Sequence, residues 1–355
     1  MSDSPRHEVR RAFRACVADL PAETPVLIAC SGGADSLALA FAAADEATAT
    51  GRAVGAVVVD HGLQEGSASV AESAAAACRD AGLSPVEVMR VDVDTGPGAG
   101  GLEAAARDAR RQALADAAGR WGCPAVLLAH TRDDQAETVL LRLARGSGAR
   151  SLSAMASVDG LWRRPLLDLP RAVVRASLDV EAWDDPHNED PRFARVRVRV
   201  NALPALAAAL GPDVVDGLAR SARLLRDDAD ALDSLAEAQR VALVREEAGV
   251  ISLEVADLEA LPRAVRTRVL RGAAQQAGVP LAELTLAHVD RIEALVSDWH
   301  GQGAVDLPGR VGAERSCGRL TLGRVPPVSE RRGQNRRDGT AAPVGLGQQD
   351  SPPKE

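Results

Sequence analysis

At 355 residues, with 46% hydrophobic side chains, the chain is long enough for about two domains with sizeable cores, and its formal net charge of −8 excludes a protein that coats nucleic acid indiscriminately. Its five cysteines (Cys16, Cys30, Cys78, Cys123, Cys317) form no Cys-x-x-Cys pair, which argues against a zinc or iron–sulfur site. No run of about 18 apolar residues and no apolar N-terminal core occurs, so neither a membrane span nor export is indicated and the cytoplasm is the expected compartment.

The first apolar run, Pro25–Cys30, predicts a buried strand, followed by the turn Ser31-Gly32-Gly33-Ala34-Asp35-Ser36 and a helix over Ser36–Ala49. Strands are then expected at Val54–Asp60, Val86–Val93 and Ala125–His130, with helices at Ser67–Ala81 and Glu103–Ala118 and a further helix starting near Asp133. This alternation predicts an α/β fold with a doubly wound, mostly parallel sheet. Ligands bind such sheets at the C-terminal strand ends, which would gather Ser31, Asp60, His61 and His130 at one cleft. After Pro204 the pattern changes to long helices at Asp213–Val244, Pro262–Ala277 and Leu284–Trp299, then short strands within Gly303–Gly323. The expected domains are therefore 1–204, a mainly helical 205–325, and a disordered Pro/Gly/Gln/Arg-rich tail over 326–355.

The Ser31–Ser36 turn carries the clearest chemistry. Adjacent glycines let backbone N–H groups crowd an anion at a helix start, and Ser31 and Ser36 can add hydroxyl donors. A Walker-A loop is excluded, because it needs a lysine on the phosphates and the only lysine is Lys354. The segment resembles the PP-loop of ATP pyrophosphatases, which split ATP into AMP and pyrophosphate. That resemblance implies an adenine nucleotide alpha hydrolase-like domain.

Two further segments stand out. In His130-Thr131-Arg132-Asp133-Asp134-Gln135-Ala136-Glu137-Thr138, Asp134 and Glu137 fall on one face of a helix's first turn, where paired carboxylates can hold a cation or share Mg²⁺ with phosphates. Thr131 and Asp134 also have capping-box spacing, which would account for one acid but not for His130 or Glu137. Arg107, Arg110 and Arg111 lie within one helical turn, and taken alone they read as a salt-bridged surface helix with Glu103. Arginines recur at Arg192, Arg195, Arg197 and Arg199, and again at Arg263, Arg266, Arg268 and Arg271, as two solvated faces or two phosphate-binding patches.

In order, Ser31–Ser36, Val59–Leu63, Glu103–Arg110, His130–Thr138 with Arg145–Gly148, Arg164–Leu167, and Asp185–Asn188 through Arg199 to Pro204 resemble bacterial tRNA(Ile)-lysidine synthases over about residues 25–210. The later helices followed by Asp306–Gly309 look like that family's tRNA-binding C-terminal domain. The resemblance implies a ligase that adenylates the wobble cytidine of an isoleucine tRNA with a CAU anticodon and displaces AMP with free L-lysine. The product reads AUA in place of AUG and changes identity from methionine to isoleucine.

It further implies ATP on Ser31, Gly32, Gly33, Ala34, Asp35, Ser36, Asp60 and His61, with Mg²⁺ on Asp35. Asp35, Arg110 and His130 would be catalytic, Asp134 and Glu137 would bind lysine, and Arg195, Arg197 and Arg199 would contact tRNA phosphates. A homodimer is allowed and no membrane is involved. Arg111, Thr131, His187 and Val196 depart from the family pattern, where tyrosine, histidine, serine and asparagine are usual. The rivals fit less well: PP-loop sulfur transfer usually needs paired cysteines, a small-molecule synthetase would not need the downstream arginines, and an inactive RNA-binding relative would not need an intact loop.

Overall fold

The computed structural model describes residues 4–62, 66–92, 102–146, 148–180, 182–183 and 189–324. The chain opens with α1 (Pro5–Cys16), capped by the Ser4 side chain on the His7 N–H and started by a proline that needs no helical hydrogen bond. The alternating segment follows as β1 (Val26–Cys30), α2 (Ala34–Thr50), β2 (Val54–Asp60), α3 (Ser67–Asp80), β3 (Val86–Arg90), α4 (Leu102–Trp121), β4 (Val126–Leu127) and α5 (Arg132–Leu143). A second stretch holds α6 (Ala149–Leu152), β5 (Val158–Asp159), β6 (Trp162–Arg163), α7 (Arg171–Ala176) and α8 (Ala194–Arg197). A π-helical turn over Val198–Ala202 leads into α9 (Leu203–Leu210) and the long α10 (Val214–Leu243).

Among the described residues the first sheet runs in the order β3-β2-β1-β4-β6-β5, parallel except for β5. Side chains alternate across it. Val26, Ile28 and Cys30 pack toward α1, α2 and α3, while Leu27 and Val57 pack on Leu114, Ala117 and Ala118 of α4. Helices thus cover both faces, as the apolar strand runs require. The chain leaves β1 toward β3 and returns to β4 on the other side of β1, so a crevice opens beyond the C-terminal ends of β1 and β4.

The chain divides into compact units at Ala229/Asp230, inside α10. Residues 205–229, which the sequence reading joins to the later helices, belong with the first unit, where Leu218 and Ala222 pack on Val139 and Ala154. The second unit contains β7 (Arg245–Glu247), β8 (Val250–Glu254), α11 (Val255–Glu259), α12 (Arg263–Gln276), α13 (Leu286–Ser297), β9 (Val305–Leu307), β10 (Val311–Ser316) and β11 (Arg319–Arg324). Its helices share one core with an antiparallel sheet in the order β7-β8-β11-β10-β9. The expected tail, 326–355, lies outside the described residues. Among those residues no single helix is long and apolar enough to cross a membrane.

Candidate active site

The loop after β1 is built around its glycines. Gly32 has φ +82°, where an L side chain is strained, and a Cβ there would lie 3.1 Å from that of Ala74 on α3. Gly33 is extended and begins α2 with no side chain capping it, so the helix's first N–H groups are left for a ligand. Ser36 is the buried hub that locks the turn: its hydroxyl donates to the Gly33 carbonyl at 2.8 Å and accepts the Ser31 N–H at 3.1 Å. Ser31 stays exposed, 3.2 Å from the Ser36 hydroxyl. An uncapped start of a 17-residue helix, carrying the positive end of its dipole, is a seat for an anion.

Facing it is the first turn of α5. Asp134 does close a capping box: its Oδ2 accepts the Thr131 N–H and hydroxyl, each at 2.8 Å. Its Oδ1 is turned the other way and accepts Arg171 Nη2 at 2.9 Å. Glu137, one turn on, is fully buried, with Arg199 Nε on Oε1 at 2.7 Å and Arg195 Nε on Oε2 at 2.9 Å. The same Arg171 Nη2 reaches Glu137 Oε1 at 3.2 Å, and its Nε stands 3.6 Å from Asp35 Oδ2. One guanidinium therefore joins three carboxylates that come from two different strand ends.

The charges respond to this setting. Burial works against ionisation of Asp134, but Arg171, Arg195, His130 and the Thr131 N–H outweigh it and hold the carboxyl at about 2. Asp35 moves the opposite way: burial, reinforced by Asp134, raises it despite Arg171, Arg175 and Arg199. His130 is pushed down to about 3, chiefly by burial and further by Arg195, Arg164 and Arg110 against Asp134, so the ring is neutral at physiological pH. Arg110 is lowered by burial and by Arg107, Arg111 and Arg195.

The polar atoms buried here without a hydrogen-bond partner include Asp35 Oδ1, Arg110 Nε and His130 Nδ1. All three residues line one cavity of about 310 Å³ beside the uncapped start of α2. Unsatisfied buried groups are costly, so their convergence marks a place a ligand completes. An acceptor, a cation and a neutral ring in that pocket suit a phosphate-bearing ligand with a polar base. Among the described residues no group of three or more His, Cys, Asp or Glu could hold a metal alone. Asp35, whose Oδ1 accepts no hydrogen bond and stands 3.7 Å from Arg175 Nε, fits a hard cation that keeps its waters and takes its remaining ligands from phosphates.

Of the residues expected from sequence, Ser31, Gly33, Ala34, Asp35, Ser36, His61, Arg110, His130, Asp134, Arg195 and Arg199 line this cavity. Gly32 and Asp60 do not; Gly32 serves the turn through its backbone, and Asp60 Oδ1 accepts the Gly62 N–H at 2.9 Å and shapes the turn after β2. Glu137 sits behind its arginines, and Arg197 donates to the Pro191 and Arg192 carbonyls at 2.7 Å each. The second arginine set is used within its own unit: Arg263 on Asp290, Arg266 on Glu293, Arg268 on Asp233, and Arg271 on the Leu284 carbonyl.

Sequence reasoning missed Arg171, Arg175 and Trp183, which also line the cavity. Arg171 did leave a signal, since a cation in the first turn of a helix opposes the dipole and asks for another purpose. The departures acquire reasons too. Thr131 is the buried partner of Asp134, Arg111 lies over the Trp162 ring at 4.7 Å, and Val196 is buried; His187 lies outside the described residues.

Comparison with known proteins gives the family and the fold. Residues 5–206 match the PP-loop domain family and residues 253–321 the TilS substrate binding domain family. The tRNA(Ile)-lysidine synthase of Thermobifida fusca is 53% identical over 317 residues, covering 88% of this chain and 96% of its own. That of Streptomyces coelicolor is 54% identical, covering 85% and 86%. Among solved structures, the U34-tRNA thiolase NcsA from Methanococcus maripaludis shares the fold with a TM-score of 0.52 at 18% identity, over 62% of this chain and 80% of that one.

Proposed function

The chain belongs to the tRNA(Ile)-lysidine synthase family, and from that premise we propose how its cleft carries out an ATP-dependent ligation on tRNA(Ile). The observation that carries the reading is the convergence of buried polar atoms without hydrogen-bond partners, on Asp35, Arg110 and His130, at the uncapped start of α2.

In the first step the C2 oxygen of the wobble cytidine in a CAU anticodon attacks the α-phosphorus of ATP, and the bond to pyrophosphate breaks. The α2 N–H groups and the loop hydroxyl of Ser31 receive the charge that gathers on the leaving pyrophosphate. Asp35 would hold Mg²⁺ there, which when bound supplies neutralisation of phosphate charge. Arg110, lacking a carboxylate partner among the described residues, holds the nucleotide phosphate or the activated cytidine oxygen.

In the second step the ε-nitrogen of free L-lysine bonds to C2, the C2–O bond breaks, and AMP leaves with that oxygen. The amine arrives as an ammonium, and Asp134 Oδ1 and Glu137 Oε1 are the acceptors suited to it. Arg171 Nη2 already lies at 2.9 and 3.2 Å from those atoms, so the ammonium takes its seat by exchanging with that guanidinium. The ammonium must lose a proton before its nitrogen bonds to C2. With the Asp134 carboxyl held at about 2 and the His130 ring at about 3, neither stores that proton at neutral pH, so it passes to solvent and both groups orient.

The test is incubation with a CAU-anticodon tRNA(Ile) transcript, ATP, Mg²⁺ and labelled lysine. Label should appear on the RNA with release of AMP and pyrophosphate, and Asp35→Ala should release none. A wild-type protein that transfers no lysine would sink this reading.

A further inference from the structure

The chain has more acidic than basic residues, 50 against 42, yet one set of arginines in the first unit stands without an ion-pair partner among the described residues. Many other cations in that unit are matched, among them Arg6 with Asp45, Arg10 and Arg14 with Glu46, Arg120 with Glu87, Arg163 with Asp19, and the cleft arginines with Asp134 and Glu137, whereas Arg52 and Arg197 donate to backbone carbonyls. Arg107, Arg110, Arg111, Arg142, Arg145 and Arg164 make no ion pair among the described residues. Of the expected phosphate contacts, Arg195 and Arg199 have their charges answered by Glu137, while Arg197 donates to the Pro191 and Arg192 carbonyls.

The six belong together in space. Arg107, Arg110 and Arg111 share one face of α4 at i, i+3 and i+4. Arg110 reaches the cleft, and Arg111 lies over Trp162 in β6. Arg164, immediately after β6, donates to the Ala156 carbonyl at 2.7 Å. Arg142 donates to the Ser151 and Ala154 carbonyls at 2.7 and 3.1 Å, so two guanidiniums converge on the backbone of 151–156. Neutral carbonyls accept some of their N–H groups, Arg164 Nε staying buried without a partner, and leave their charge uncancelled.

Each cation disfavours the next. Burial lowers Arg142, with Arg107, Arg226 and Arg145 adding; burial lowers Arg164, opposed by Asp159 and reinforced by Arg111, Arg107 and Arg226. Arg107 and Arg145 are exposed to solvent. A cluster of like charges that runs from a catalytic cleft to the surface destabilises the free protein and is relieved by a polyanion.

We propose that Arg107, Arg111, Arg142, Arg145 and Arg164 form a track for RNA backbone phosphates that ends at Arg110 in the cleft and runs across α4 to the end of α5. The track leads the strand that carries the target base into the cavity, and this assignment rests on the tRNA reading above.

The experiment compares the wild type with Arg107→Glu/Arg145→Glu, both surface positions outside the cleft, using the same transcript. Transcript affinity is measured against salt concentration, ATP affinity is measured alongside, and lysine transfer is assayed on the wild type. The double variant should bind RNA at least roughly tenfold more weakly, with a salt slope smaller by about 2, and bind ATP as before. Arg107→Lys/Arg145→Lys should keep most of the affinity, since phosphates need charge more than a guanidinium fork. Unchanged RNA affinity and slope in the charge-reversed protein would overturn the track. A wild type that binds RNA but transfers no lysine would refute the ligation reading while the binding comparison still decides the track.

Discussion

Replacing Glu137 by glutamine gives the sharpest test of how the cleft is held together. The carboxylate is fully buried, and three guanidiniums converge on it at 2.7, 2.9 and 3.2 Å. Removing one member of a buried charge pair costs about 3–5 kcal/mol, because the partner is left uncompensated. Here the partners keep some relief: the Arg195 and Arg199 side chains are 34% and 28% exposed, and Asp134 still faces Arg171. The lower end, about 3 kcal/mol, is therefore expected. For a unit of this size that corresponds to a fall in melting temperature of roughly 6–12 °C. Thermal unfolding followed by far-UV circular dichroism reads it directly, and labelled-lysine transfer at a temperature where the variant is folded reads the second role. A melting temperature equal to that of the wild type would refute the counter-charge role. A loss of lysine saturation with stability intact would leave Glu137 a ligand for substrate alone.

Gly32→Ala should cost about 1–2 kcal/mol from its left-handed backbone and also crowd Ala74, cutting pyrophosphate release and stability together. Gly33→Ala, at an ordinary φ of −74°, should leave stability nearly unchanged and reduce ATP affinity by obstructing the anion seat; equal stability losses in the two variants would contradict this. Because His130 is depressed from 6.5 to about 3, its neutral form belongs to the fold, so stability is full above pH 6.5 and declines as pH falls toward 3. His130→Gln should flatten that decline, and an unaltered pH–stability curve would count against it. Asp134 is depressed from 3.8 to about 2, so its contribution is present above 3.8 and lost as pH falls through 2; in Asp134→Asn that acid limb should vanish from urea titrations.

How much of this was legible depends on how local the signal is. β2 runs over the residues its apolar pattern specifies, and the Gly-Gly turn, the helix after it and the capping spacing of Thr131 and Asp134 were all readable from neighbours. Strands β5 and β6 are two residues each and owe their existence to an edge that the rest of the sheet provides. The hairpin β7–β8 was hidden by Arg245-Glu246-Glu247, which continues the polarity of the helix before it, although Ala248 and Gly249 take the positive φ values a tight turn needs. Charge pairing was the least readable layer. Arg195 and Arg199 reach Glu137 across 58 and 62 residues, so spacing alone presents them as free cations. The unpaired set on α4 looked instead like a salt-bridged surface.

The seat of Arg171 has a practical consequence for anyone handling this protein. A planar, many-donor cation, the Arg171 side chain, is what Asp134 and Glu137 grip, so guanidinium ion in solution should mimic that side chain as well as act as a denaturant. At concentrations far below those that unfold the chain it should compete at that spot. Chaotrope titrations are therefore best run in urea, and a modest dose of guanidinium chloride becomes a reagent for probing whether the pocket is vacant or filled.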